Sequence, residues 1–230
     1  TVSTGAQIWA TGQAAALRRQ LKLYANPKLS HDGAFPEPVF FECRACHRPI
    51  SDDPDWEPQA LKNPGRPNTP GAIRFNDANM IMLLAIARQV APEMAGDLDQ
   101  DIQNFHRSIS DNRNSDAANA VLVGQCDDLI EIISTTAFTK DQTLKILDEV
   151  MAETLSRRYT DYVAGEQAIM AVDTLFSSMI AAKQISRLDV NALREEIEQG
   201  YKAVEEPNVY EQAELTEALR LIQARVRVLM

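Results

Sequence analysis

Nine of the chain's eleven prolines lie between residues 24 and 75: Pro27, Pro36, Pro38, Pro49, Pro54, Pro58, Pro64, Pro67 and Pro70. Proline has no N–H to donate, and its ring clashes with the preceding turn. A regular helix is therefore excluded across most of this stretch. The rest of the 230-residue chain is nearly free of proline. An irregular segment this long is unusual inside a compact domain unless it wraps something. Hydrophobic residues make up 45% of the chain but aromatics only 6%, so aliphatic side chains and alanine dominate. That balance favours helix packing over a β-sandwich. The expected fold is all-α, with an N-terminal helix and the Pro-rich loop packed on a bundle of about six or seven helices.

Periodicity sets the helices. Residues 4–23 carry Ile8, Leu17, Leu21 and several alanines as a modest apolar face, with Arg18, Arg19 and Lys22 near the C-terminal end, where cations suit the dipole. Asn76 or Asp77 caps a helix through Val90 whose Met80, Ile81, Met82, Leu83, Leu84 and Ile86 make it apolar nearly all round, hence deeply buried. Leu98, Ile102, Phe105 and Ile109 stripe the next segment, 93–109. Leu122, Cys126, Leu129 and Ile133 stripe 117–133. Thr139 and Gln142 have capping-box spacing and open a helix to about Arg157. A further helix spans 160–182 with Ile169, Val172, Phe176, Met179 and Ile180 inward, followed by helices over 189–204 and 208–228. Asn208 and Glu211 repeat the capping-box spacing. No strand-like alternation stands out. The organisation expected is a first region, 1–110, holding the loop, and a helical bundle, 111–230, continuous with it or separate.

In the middle of the loop stands Cys43-Arg44-Ala45-Cys46-His47. This C-x-x-C-H spacing suits covalent haem: two thiols add across the two vinyl groups, and the adjacent histidine ligates the iron. The motif resembles the attachment site of c-type cytochromes, over these five residues. The resemblance implies one covalent haem c held by Cys43 and Cys46, with His47 as an iron ligand. It implies electron transfer with a redox partner protein, and export to the periplasm, where haem is attached. The chain begins at Thr1 without an n-region and h-region, which reads as a signal peptide removed or a trimmed start.

A haem would supply the apolar surface that the loop lacks. Its pocket is expected between the loop and the helix starting near Asn76. Arg48, Lys62, Arg66 and Arg74 are candidates for the propionates as charge-assisted donors. Trp56 is a candidate for the haem edge. For the sixth iron position the chain offers His31 in the same loop, Met80 or Met82 at the next helix, His106 beside an apolar stripe, or an open site. A Met ligand would raise the potential.

Two other functions remain open at this level. An exchangeable sixth site would make the chain a haem sensor or a peroxidase-like enzyme. Alternatively, the C-x-x-C-H holds zinc in a helical interaction module, although no second C-x-x-C or H-x-x-x-H pair completes such a site. Glu166 and Asp173, seven apart, read as solvated or capping charges, and Cys126 as a packed thiol. No Gly-rich phosphate loop or nucleophile elbow is present.

Charge divides the chain. The net is −10 overall, +2 over residues 1–75 and −12 over 76–230. Such acidity argues against a nucleic-acid surface. The acidic remainder reads as a solvated face or as a docking face for a basic partner. The C-terminal helices are also the expected contact for a second copy. No apolar run approaches a transmembrane length.

Overall fold

The computed structural model describes residues 4–30, 36–42, 65–67, 72–111, 113–156, 162–206 and 210–230. It is an all-α multi-helix bundle, with one two-stranded sheet among the described residues. The helices are α1 (Gly5–Tyr24), α2 (Pro27–Ser30), α3 (Ala78–Val90), α4 (Pro92–Ser110), α5 (Asp116–Thr135), α6 (Lys140–Leu155), α7 (Tyr162–Ala181), α8 (Arg187–Asn191), α9 (Arg194–Ala203) and α10 (Gln212–Leu229). Between α2 and α3 come a 3-10 turn (Pro38–Phe40) and the strands β1 (Phe41–Glu42) and β2 (Arg74–Phe75). Among the described residues no helix is long and apolar enough to cross a membrane.

α3 is the central element. Every side chain from Met80 to Ala87 is buried, as its all-round apolar sequence requires. It packs on α1, α4, α6 and α7, so helices from before and after residue 110 share one core. α1 lies along α5 through a stripe of small residues, Ala6, Ala10 and Ala14, continued by Leu17 and Leu21. This corrects one expectation. Ile8 is 62% exposed, because the alanines, not the isoleucine, allow the close approach to α5 and α7.

α7 ends in a left-handed turn at Lys183, where φ is 57°. The N–H of Gln184 donates to the Met179 carbonyl at 2.8 Å, and that of Lys183 to Ile180 at 3.0 Å, which closes the helix in a Schellman arrangement. The single helix expected over 189–204 is two. A Ser186–Asp189 capping box starts α8 early, and the chain turns at Ala192 and Leu193, burying Leu193 and Ile197. The last helix begins at Gln212, and Glu211 at its N-cap makes no side-chain capping bond. Asn208 lies outside the described residues. The strand pair was also not expected. Two residues a side is too short for alternation to register in the sequence.

Candidate functional site

The strand pair brings together the chain just before and just after the motif-bearing segment, residues 43–73. Phe41 pairs with Phe75 and Glu42 with Arg74 in antiparallel register. Cys43 follows Glu42 in the sequence and Ile73 precedes Arg74, so residues 43–73 leave and return at neighbouring positions. Side chains alternate across such a pair and separate two kinds of contact. The phenylalanines meet edge to face, with ring centroids 6.3 Å apart. Glu42 and Arg74 form a buried ion pair at 3.2 Å.

Under the strands lies an aromatic floor. The Tyr24 ring, at the end of α1, has Phe40, Phe41, Phe75 and Phe105 around it at centroid distances of 5.2–6.2 Å, all edge on. Edge-to-face contacts of this kind are worth about 0.5–1.5 kcal/mol each beyond the area they bury. Although aromatics are scarce, five of the chain's rings meet here. Backbone contacts fix the same corner: Asn76 N–H donates to the Phe40 carbonyl at 2.8 Å, and Gln20 donates to the Asn76 carbonyl at 2.8 Å.

Beside the floor is a buried charged cluster. Asp77 stands at the N-cap position of α3, yet its side chain makes no capping bond. It turns inward instead. Arg66 Nε lies 2.7 Å, and His106 Nε2 3.1 Å, from the Asp77 Oδ2 atom. The two contacts converge on one buried carboxylate oxygen, where Arg66 acts through its charge and His106 through its side-chain hydrogen bond as well as its charge. All three side chains are at most 3% exposed. Burial alone would raise the Asp77 carboxyl. The Arg66 charge, His106 and Arg74 more than offset this and hold it below the ordinary carboxylate value. The cluster joins the returning limb of the loop (Arg66), the start of α3 (Asp77) and α4 (His106).

The sequence candidates fall into two groups. Cys43, Cys46, His47, His31, Arg44, Arg48, Trp56 and Lys62 lie outside the described residues. Arg66 and Arg74 are buried, and each faces a carboxylate, Asp77 and Glu42. Met80 and Met82 are fully buried in α3. His106 is buried with its Nε2 on Asp77. Among the described residues no group of three or more His, Cys, Asp or Glu side chains is arranged to hold a metal ion.

Other charged groups have structural partners. Arg88 ties the end of α3 to Glu153 and Glu149 of α6 and Asp99 of α4. Tyr162 donates to Glu166 at 2.8 Å and Tyr201 to Asp173 at 3.2 Å. Cys126 is fully buried, and burial pushes its thiol up to about 12. No protein-family model, curated protein or solved structure matches the chain.

Proposed function

We propose that the chain is a monohaem c-type cytochrome that transfers electrons to or from a partner protein in the periplasm. The observation that carries this reading is the C-x-x-C-H motif starting one residue after a strand anchored on an aromatic floor. The donor set fits the group. Cys43 and Cys46 supply two thiols at the required spacing, and His47 supplies an imidazole. Cys43 and Cys46 would hold the group through two thioethers, the S–H bond and the vinyl π bond giving way to a C–S and a C–H bond at each, so no external oxidant or reductant is required. Haem c, when bound, supplies a one-electron Fe(III)/Fe(II) couple.

The residues of the chain would divide the remaining work. His47 would ligate the iron from the motif, and His31, twelve residues before Cys43 in the sequence, is the proposed second ligand. Arg48 would offer a guanidinium donor to a propionate and Trp56 an indole ring and N–H, whereas Arg74, expected in the same role, is buried on Glu42. The Glu42–Arg74 pair and the Arg66–Asp77–His106 cluster hold the two limbs of the loop on the bundle. This anchoring limits reorganisation around a redox centre. Apolar packing by Phe41, Phe75 and Phe105 keeps water from the floor of the corner.

The test is a visible spectrum of the protein produced in an exporting, haem-attaching host, oxidised and dithionite-reduced, with a pyridine hemochrome assay. Sharp reduced bands that do not change under CO are expected. A CO shift would move the function to sensing or catalysis. Absence of haem, with zinc found by metal analysis, would replace the reading by the interaction module.

A further inference from the structure

The C-terminal side of the bundle carries an apolar groove with an acidic rim. It lies between α7 and α9, with a volume of about 550 Å³. Its floor is Met170, Tyr201 and Val204. Met170 is 46% and Tyr201 37% exposed. Isolated exposed apolar side chains are ordinary, but these line one concavity. The Tyr201 hydroxyl donates to Asp173, and burial with that carboxylate beside it pushes the phenol up to about 12, so it stays neutral. Around the floor stand Glu166, Glu198 and Glu205, against Lys202.

The acidity continues across α9. A second groove, of about 500 Å³, shares Glu198 and Lys202 and adds Glu211 and Glu214. Five carboxylates therefore face one lysine. Glu198 is offset by Arg194 at 2.7 Å. Glu166, Glu205 and Glu211 have no cationic partner among the described residues. Charge decides the occupant. A second copy meeting this face about a two-fold axis would set carboxylate against carboxylate. An anionic membrane would be repelled in the same way.

We propose that this surface docks a cationic amphipathic segment of a partner protein, its apolar side chains on Met170 and Tyr201 and its Lys or Arg groups on the rim carboxylates. The proposal stands apart from the haem reading, because none of its residues precedes Glu166.

The probe is a fluorescently labelled synthetic helix of leucine and lysine with one apolar face, titrated against the full chain by anisotropy. Three variants report. Met170→Ser removes the apolar floor. Glu166→Gln with Glu205→Lys reverses the rim while keeping a partner for Tyr162. Asp128→Asn with Glu131→Lys makes the same charge change on exposed residues of α5. The first two are expected to weaken binding about tenfold or more, and the third less than about twofold. Equal weakening by the α5 variant would show that the peptide reads only net charge and would overturn the proposal. So would an unaffected Met170→Ser protein or no binding at all. A dimer in sedimentation that Met170→Ser dissolves would assign the groove to a second copy instead.

Discussion

Asp77 is where the loop, α3 and α4 meet in charge. Its carboxylate is the shared partner of Arg66 and His106, all three out of water. Removing the middle member takes away the buried carboxylate on which Arg66 and His106 converge, a change of the kind that costs about 3–5 kcal/mol. Asp77→Asn should lower the urea midpoint accordingly, with the denaturant slope unchanged. The pH dependence has a definite sign. The folded carboxyl titrates below its ordinary value, so its stabilisation is fully present above that value and is lost as pH falls through the folded one. The deficit of Asp77→Asn should therefore hold from neutral pH to about pH 5 and close only in stronger acid. Cys126 gives the opposite chemistry. A thiol pushed up to about 12 and fully buried should resist iodoacetamide in the native protein and react after unfolding, read by peptide mass mapping. The burial of Cys126 was legible in the sequence, because Leu122, Leu129 and Ile133 share its stripe. The Asp77 cluster was not. Residues 66, 77 and 106 belong to a loop, a helix start and a helix interior, and no spacing rule connects them.

At the level of elements, glycines show where helices touch. A Cβ on Gly165 would sit 2.5 Å from a Leu215 methyl and 2.9 Å from the Tyr210 hydroxyl; one on Gly200 would sit 2.6 Å from an Ile169 methyl. Gly12 and Gly124 have nothing within 4 Å. Alanine at 165 or 200 should cost about 1–3 kcal/mol by overpacking. Alanine at 12 or 124 should stabilise by up to about 1 kcal/mol through helix propensity. Chemical denaturation of the four variants checks both signs. Amide side chains join elements as well. Gln7 lies 3.0–3.1 Å from three carbonyls at the end of α5, Asn119 donates to Leu21 at the end of α1, and Gln142 donates to Gln89 at the end of α3. Helix positions were readable because periodicity is local. The Thr139 cap is observed, its hydroxyl accepting from Gln142 N–H. Partners of Gln7 and Asn119 were not readable, since they lie about a hundred residues away. The break before α9 was missed because nothing near Ala192 is a breaker; the burial of Leu193 and Ile197 imposes it.

For the molecule as a whole, proline and apolar content divide the labour. The proline-poor part builds a bundle around α3, and the proline-rich part is held to it at β1 and β2. The all-α class was legible for that reason, from the concentration of prolines and the long stripes that follow. The corner beneath the strands was not, because Tyr24, Phe40, Phe75 and Phe105 are spread over four elements and converge only on folding. The function rests on what the motif between the strands holds. Intact mass spectrometry under denaturing conditions, on protein exported by a haem-attaching host, tests this most directly. The account predicts a chain heavier by one haem, with the added mass on the peptide containing Cys43 and Cys46 and absent from a Cys43→Ser/Cys46→Ser protein. A bare chain mass from that host, with both thiols free, would contradict it.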